Sequence, residues 1–335
     1  MKTADQPKKA AGPVLAWSAG PRPETLALPE IPHLRLRVTL EARQKAELPP
    51  YKGSLLRGAF GHALRRAVCA AGRGQDCDDC SLHEGCAYGR LFEPRQGFVA
   101  GRPSAVRPYV FEPHGFAERY GPGDLLKFDL LLFGDAVELQ AFAVLACERL
   151  AEAGLGYRRA RFELQRVAFE DRRGAWRSGF ERGVRRWGEK APAAPLPGEP
   201  LPGDRLTLRL LTPVRIKGDG RLIRHFDFRL LASRMLRRTL ELAHLAGGGA
   251  EAAGDFDVEA FLERAEGVRV DDARTRWFDW RRFSNRQGST MKLGGVVGEI
   301  DLEGDLEPFS ALLRTAEVVH VGKGATFGLG KVAVK

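Results

Sequence analysis

The sequence predicts an α+β protein built from two tandem ferredoxin-like domains. Three observations lead to this prediction: the order of strand-like and helix-like segments in the first half of the chain, a rough repetition of that order in the second half, and a stretch rich in proline and glycine between the halves. With 335 residues, the chain is long for one domain and comfortable for two.

The first half reads strand, helix, strand, strand, helix, strand, which is the order of a ferredoxin-like unit. Apolar and polar residues alternate in HLRLRVTLEA, as in a half-buried strand. Apolar residues then recur at helical spacing, and Ser54 is the predicted N-cap of that helix. The remaining segments are predicted as two strands, a helix that ends at Gly154 and a last strand, over residues 104–113, 124–134, 136–154 and 159–170.

A segment without periodicity, RWGEKAPAAPLPGEPLPGD, separates the halves. After it we predict a strand, a helix, a short extra helix, two paired strands, a helix and a final strand, over residues 205–217, 226–247, 257–266, 268–288, 290–304, 305–317 and 318–334. The resulting division is a disordered segment over residues 1–30, a first domain over 31–185, a linker over 186–204 and a second domain over 205–335.

The formal net charge is +10, and arginine dominates the basic residues. Guanidinium groups suit phosphate, so an anionic partner is expected, and nucleic acid is the commonest one. The alternative is an arginine-rich composition inherited from a GC-rich genome. No apolar run has the length of a membrane span, and no apolar segment follows the first lysines, so we expect neither a membrane nor a secretion signal. The expected location is the cytoplasm.

Four of the five cysteines cluster in one segment: Cys69, Cys77, Cys80 and Cys86. The CxxC pair in CDDC can direct two thiolates at one centre, and four thiols suit tetrahedral Zn²⁺. An iron–sulfur cluster is the alternative ion, and His83 could replace one thiol. We predict a structural metal in this insert (69–86), because four protein ligands leave no open position. Cys147 lies in an apolar helical segment and is predicted to be a core residue.

Basic residues collect at three further places. PPYKGSLLRGAFGHALRR carries Tyr51, Lys52, Arg57, His62, Arg65 and Arg66, with Gly58 and Gly61 permitting close approach of another backbone. The GDG turn is surrounded by Arg215, Lys217, Arg221, Arg224 and His225. A third segment mixes aromatic residues with Arg276, Arg281, Arg282, Arg286 and Lys292. Such mixtures can grip phosphates and stack on bases, but the alternative is that the aromatic residues are core and the cations are solvated.

The last segment, VVHVGKGATFGLGKVAVK, contains four closely spaced glycines, Gly322, Gly324, Gly328 and Gly330. It is not a Walker A loop, because no GK[ST] opens a helix, and it comes too late for a dinucleotide-binding loop. A tight hairpin between short strands is the plain alternative.

Together, LPPYKGSLLRGAFGHALRR with the cysteines that follow it, LTPVRIKGDG, WRRFSNRQ and HVGKGATFGLGKV resemble one family. It is the CRISPR-associated endoribonucleases that process precursor CRISPR RNA, members of the RAMP superfamily. The cysteine segment resembles that of a subset of the family. The resemblance implies that the glycine loop lies against the RNA backbone and the central helices, with its glycines at positive φ and its amides near phosphates.

The resemblance also implies cleavage without a metal. A base removes the proton of a ribose 2′-OH, and the oxygen attacks the adjacent phosphate to give a 2′,3′-cyclic phosphate and a 5′-hydroxyl. It places the general base at His62, with Tyr51 or Lys52 in the remaining roles; His225 and His320 compete for the role of base. The residues expected to bind RNA are Arg57, Arg65, Arg215, Lys217, Arg221, Arg224, Arg286, Lys323, Gly322, Gly324, Gly328 and Gly330.

Two rival functions remain at this point. The first is a non-catalytic RAMP protein that binds CRISPR RNA inside an effector complex, and the second is a zinc-bearing DNA-binding protein. The expected partners are CRISPR repeat RNA and other CRISPR effector subunits.

Overall fold

The computed structural model describes residues 28–71, 76–95, 106–182, 191–194, 196, 201, 203–218, 220–246, 257–279, 281–284 and 289–335, and for residues 281–284 and 289–292 only the backbone. The predicted disordered segment therefore lies outside the described residues except for its last three positions. Most of the predicted linker, Trp280 and Arg286 also lie outside them.

The chain forms two antiparallel five-stranded sheets and three two-stranded ladders. The strands in chain order are β1 (His33–Ala42), β2 (Ala46–Glu47), β3 (Tyr109–Pro113), β4 (Arg119–Tyr120), β5 (Leu125–Phe133), β6 (Phe162–Glu170), β7 (Trp176–Glu181), β8 (Arg205–Val214), β9 (Lys217–Gly218), β10 (Arg221–Leu222), β11 (Arg269–Asp271), β12 (Thr275–Phe278), β13 (Arg281–Ser284), β14 (Ser289–Lys292), β15 (Gly295–Glu303) and β16 (Val332–Val334). The helices are α1 (Gly53–Val68), α2 (Ala87–Phe92), α3 (Gln140–Ala153), α4 (Phe228–His244), α5 (Val258–Arg264) and α6 (Ser310–Val319).

The first sheet has the strand order β3-β5-β1-β6-β7, and the second has β11-β15-β8-β16 with β12 also paired to β15. In the first sheet β1 lies between β5 and β6, and in the second sheet β8 lies between β15 and β16. This matches the ferredoxin-like arrangement, in which the first strand lies between the third and the fourth strand of the βαββαβ unit. The small ladders join β2 to β4, β9 to β10 and β13 to β14. The predicted α+β class with two ferredoxin-like units is confirmed.

Each unit has its own apolar core, and the alternation of β1 explains the first. Its leucines point to the face covered by α1 and α3, whereas His33, Arg35 and Arg37 point to the other face. A third cluster joins the units, because Val110 and Leu131 on the outer face of the first sheet meet Leu242 and Val319 of α4 and α6. Part of the predicted linker also packs, since Ala194 exchanges two backbone hydrogen bonds with His33.

Two local predictions are wrong. Ser54 does not cap α1, because the helix already begins at Gly53, with Lys52 at the N-cap position. The final segment is not one strand: α6 continues to Val319, a loop with a single 3-10 turn follows, and only Val332–Val334 pair with β8. In the second unit, α4 is capped by Asp227, whose carboxylate accepts a hydrogen bond from the amide of Leu230.

Among the described residues, no helix is long and apolar enough to cross a membrane.

Candidate active site and the glycine loop

A groove of about 1390 Å³ runs along one side of α1, and we call it the α1 groove. The end of α3, the turn after α3 and Leu293 also line it. Small and apolar residues of α1 and α3 form part of its surface. Its charged residues are mostly cationic: Arg57, Arg66, Arg149 and Arg159, against Glu47 and Glu152.

His62 lies in this groove with an exposed side chain. The glycine loop contacts the first turns of α1: a Cβ on Gly53 would come within 1.8 Å of the carbonyl oxygen of Phe327, and the ring of Phe327 lies 5.5 Å from the guanidinium of Arg57. Each helical residue advances about 1.5 Å, so His62 lies roughly 13 Å beyond Gly53 along α1. The expected closeness of His62 and the glycine loop stays a prediction.

Tyr51 also lines the groove, but its phenol is already engaged. The hydroxyl of Tyr51 donates a hydrogen bond of 2.5 Å to the carbonyl of Phe327 in the glycine loop. Burial and the nearby Glu112 carboxylate raise the pKa of Tyr51 far above its ordinary value of 10.0. In this arrangement Tyr51 anchors the loop and is poorly suited to accept or release a proton.

Lys52 is fully buried rather than presented to a substrate. Its ammonium donates to the carbonyl of Pro50 (3.0 Å) and lies 5.9 Å from the ring centre of Tyr120. Burial lowers the pKa of Lys52, and the Glu118 carboxylate opposes that change. Lys52 therefore stabilises the loop that leads into α1, and it does not line the α1 groove.

The two predicted RNA-binding arginines of α1 lie in different surroundings. The guanidinium of Arg57 lies 4.5 Å from the ring centre of Phe92 and 5.5 Å from that of Phe327, at the edge of the groove. Arg65 instead lies over Tyr88, at 5.6 Å, on the side of the cysteine segment. Arg57 is thus placed for a ligand in the α1 groove, and Arg65 is not.

The four glycines of the tail all have positive φ, between 72° and 85°, as the sequence predicted. Their close neighbours are protein atoms. A Cβ on Gly328 would lie 2.3 Å from the carbonyl oxygen of Phe111 in β3, and one on Gly322 would lie 2.5 Å from that of Arg215. Gly328 therefore lets the loop pack against the first unit, whereas Gly322 permits a close approach within the second unit.

Most of the loop amides that we expected near phosphates are used inside the protein. The amides of Lys323, Gly328 and Gly330 donate to the carbonyls of Arg215, Ala325 and Pro213, at 2.8, 2.7 and 3.1 Å. The side chain of Lys323 is exposed. Of the loop, Lys323 is the part best placed to meet a polyanion.

The basic residues around the GDG turn lie on the β9–β10 ladder and its surroundings. Lys217, Arg221 and Arg224 are exposed, and the guanidinium of Arg224 lies 5.0 Å from the ring centre of Trp277. Arg215 is half-buried beside Gly322. None of these four residues lines the α1 groove, so they form a second cationic area, and the predicted Arg286 lies outside the described residues.

Sequence reasoning missed a buried ionic cluster between the two units, which we call the junction cluster. Nε2 of His320 donates to Oε1 of Glu112 (2.8 Å), and Lys331 and Arg35 donate to Oε2 of Glu112 at 2.7 and 2.9 Å. Asp129 extends the cluster through Arg37 and His114, at 2.9 and 3.0 Å. The available signal was a carboxylate inside each of two apolar strands, YVFEP and LLKFDLLLF, since such charges need partners.

The charges of the junction cluster are mutually dependent. Burial alone would raise the pKa of Glu112, but the hydrogen bond from His320 and the charges of His320, Arg35 and Lys331 lower it far below 4.5. His320 is fully buried, and its Nδ1 lies 3.1 Å from the carbonyl oxygen of Leu329. A histidine with no exposed surface cannot receive a proton from RNA, which removes His320 as a competitor of His62.

The cysteine segment forms compact turns against the first core. The amide of Cys80 donates to the carbonyl of Cys77, that of His83 donates to Cys80, and Cys77 and Cys86 pack partly buried on apolar residues. None of the four cysteines forms a disulfide, and within the described part of the chain no three histidine, cysteine or acidic side chains are arranged as a metal site. Nδ1 of His83 is buried without a hydrogen-bond partner in this structure, so the donor set that zinc prefers is present in one small segment.

Comparison with known families matches the two halves of the chain separately. Residues 31–190 match a family model described only as an N-terminal domain, and residues 208–332 match the model of the CRISPR-associated endoribonuclease Cas6. An uncharacterized protein of Archaeoglobus fulgidus is 34% identical over 109 residues, which is 32% of this chain and 37% of that protein. The chain thus spans little more than a third of the length of this relative.

Solved structures share the fold of nearly the whole chain. A chain of a partial Cas6-RT-Cas1–Cas2 complex matches 93% of this chain and 47% of its own length, with 17% identity and a TM-score of 0.53. The product complex of a Thermus thermophilus Cas6 matches 91% of this chain and 99% of its own length, with 18% identity and a TM-score of 0.50. At this identity, the matches establish the fold.

Proposed function

We propose that the chain, whose second half matches the Cas6 family model, is a CRISPR-associated RAMP protein of the Cas6 type. We further propose that it is an endoribonuclease that cleaves CRISPR repeat RNA in the α1 groove. The single observation that carries the proposal is the position of His62. Its exposed imidazole lines a groove of about 1390 Å³ that Arg57 and Arg66 also line. Imidazole titrates near neutrality, which suits a general base.

The proposed reaction is an internal transesterification. His62 takes the proton of a 2′-OH, the 2′ oxygen forms a bond to the adjacent phosphorus, and the bond from phosphorus to the 5′ oxygen breaks. The leaving oxygen takes a proton, so the products are a 2′,3′-cyclic phosphate and a 5′-hydroxyl. Arg57 or Arg66 would offset the charge that develops on the phosphorane, because both line the same groove. No step requires a metal ion.

A specific observation favours the rival function, a RAMP protein that binds CRISPR RNA without cutting it. Tyr51 is hydrogen-bonded to the glycine loop and Lys52 is buried, so two of the three residues expected to move protons are held elsewhere. In the rival function, the α1 groove and the exposed cations would hold RNA, and a different subunit would cut it. We propose CRISPR RNA as the partner in either case, and other CRISPR effector subunits as further partners.

Cleavage in the presence of EDTA separates the two functions. The protein is incubated with the repeat RNA of its own genome, with and without the chelator, and the product ends are analysed by mass spectrometry. We expect equal rates in both conditions, a cyclic phosphate on one product and a 5′-hydroxyl on the other. RNA that is bound but stays intact would support the non-catalytic function, and cleavage abolished by EDTA would contradict the metal-independent mechanism.

We expect the affinity for RNA to fall steeply with salt, because lysine and arginine release counterions from phosphates. Arg224→Ala should weaken binding to any RNA and lower the slope of log affinity against log salt by about one. Arg177→Ala serves as the matched control. It removes the same charge from an exposed guanidinium on β7 that pairs with Asp171. Filter binding between 50 and 300 mM salt measures both; an affinity independent of salt would show that the net charge is only compositional.

We further propose that Cys69, Cys77, Cys80 and Cys86 bind one structural zinc ion, with an iron–sulfur cluster as the alternative. The proposal rests on the thiols of one compact segment and on the orphaned nitrogen of His83. Metal analysis of the purified protein should give about one zinc per chain. Cys80→Ser should lose it and Cys147→Ala, a buried cysteine elsewhere, should keep it. A protein that folds with neither zinc nor iron would overturn the proposal.

A further inference from the structure

Tyr157 is the most exposed large aromatic residue of the described chain, with 100% of its side chain accessible. It lies at the tip of a tight turn between α3 and β6. Leu155 and Ala160 close the turn with two backbone hydrogen bonds of 2.9 Å, and the amide of Arg159 donates to the carbonyl of Gly156 (3.2 Å). The exposed ring is therefore carried on an ordered turn.

The turn is built at a conformational cost. Arg159 has φ of 49°, a left-handed conformation that non-glycine residues rarely adopt. Gly154 is needed beside it, because a Cβ there would lie 2.2 Å from the carbonyl oxygen of Arg159. Gly156 permits a second close approach, since its Cβ would lie 2.7 Å from the carbonyl oxygen of Glu47. Strain of this kind persists where the surroundings hold a segment in place, and it is concentrated at functional sites.

The turn and His62 line the same groove. Tyr157 and Arg159 contribute to one wall, and His62 and Arg66 of α1 contribute to another. The exposed neighbours of Tyr157 in sequence are arginines, at positions 158, 159 and 161. An exposed aromatic ring next in sequence to arginines matches a ligand that has a planar ring and a phosphate.

We propose that Tyr157 stacks on an unpaired base of the bound RNA while Arg159 contacts a phosphate next to that base. This subsite rests on the proposed function, and it sets the register of the RNA in the groove. A base fixed on one wall determines which phosphodiester reaches His62 on the other. Stacking tolerates any base, so this subsite selects single-stranded RNA over paired RNA.

The test uses decameric oligoadenylate with one 2-aminopurine, whose fluorescence is quenched on stacking. Tyr157→Ala should weaken binding of this probe at least about tenfold, within the range measured for lost base–aromatic stacking. It should also abolish the quenching, whereas Tyr157→Trp should retain both. Phe142→Ala is the matched control, because Phe142 is an exposed aromatic residue of α3 that does not line the groove. Circular dichroism confirms that each variant folds.

Equal binding by the wild type and Tyr157→Ala would overturn the subsite, as would an equal loss in Phe142→Ala. These outcomes are distinct from failure of the proposed function, because the probe measures binding and not cleavage. A protein that quenches the probe through Tyr157 but leaves repeat RNA intact would retain the subsite and lose the nuclease. If the protein cleaves repeat RNA, Tyr157→Ala should raise the KM for that RNA and should move the cleavage position or make it less uniform.

Discussion

Replacing His62 with alanine should lower the rate of repeat RNA cleavage by about 100- to 10,000-fold, the usual contribution of a general base. RNA binding should change little, because the arginines of the α1 groove are unaffected. Single-turnover cleavage with saturating enzyme gives the rate of the chemical step, and filter binding in parallel gives the affinity. His62 is exposed, so its removal leaves no cavity that would unfold α1.

His225→Ala is the control for this experiment. His225 is also exposed, but it lies on the second unit, where its ring contacts Asp272 at 3.0 Å. We expect its cleavage rate to stay within about twofold of the wild-type rate, as for most surface substitutions. Normal cleavage by His62→Ala would reject the proposed base. If His225→Ala were the inactive variant, the catalytic centre would instead lie beside the GDG turn.

The second large effect concerns the junction cluster. Glu112→Gln should lower the free energy of unfolding by about 3–5 kcal/mol, because it removes the buried carboxylate that contacts His320 and pairs with the partly exposed cations of Lys331 and Arg35. Chemical denaturation at pH 7 measures the loss. Since Glu112 belongs to β3 and His320 to the end of α6, the same variant should also loosen the packing of the glycine loop, which limited proteolysis can detect.

The pH dependence has a defined sign. The pKa of Glu112 in the folded protein is lowered from its ordinary value of 4.5, so its stabilising effect is present above that value and is lost as the pH falls. Asp129 acts in the same direction: burial alone would raise its pKa, but hydrogen bonds from His114 and Arg37 lower it. The wild type should therefore lose stability in acid faster than Glu112→Gln, and the difference between the two should shrink as the pH falls below about 4.5.

Asp305→Asn is the matched control for Glu112→Gln. Asp305 pairs with Arg264 at 2.9 Å, but both side chains are largely exposed, and such pairs contribute about 0–1 kcal/mol. We expect its unfolding curve to overlap that of the wild type at every pH. A loss as small in Glu112→Gln as in Asp305→Asn would show that the junction cluster does not hold the two units together.

The sequence by itself determined the local structure and the class of the fold. The alternation in HLRLRVTLEA fixed which face of β1 is buried, because side chains of a strand point to opposite faces in turn. Helical spacing located α1 and α3, and the order of the elements identified two ferredoxin-like units. The four late glycines predicted positive φ, which a residue without Cβ adopts freely. The motifs that resemble the RAMP nucleases also placed His62 on the first helix.

Only the tertiary structure decided which of these residues meet. Glu112 and His320 are separated by 208 positions in the chain, and no local pattern pairs them. Tyr51 and Lys52 directly precede α1, as the motif predicted. However, the hydroxyl of Tyr51 is hydrogen-bonded to the glycine loop, and Lys52 is buried in the loop before α1. No sequence pattern marked Tyr157 as a site residue, because the exposure of a side chain depends on what packs around it. Periodicity and backbone preference act between near neighbours in the chain, whereas burial, ion pairing and the lining of a groove depend on contacts between distant segments, which exist only after folding.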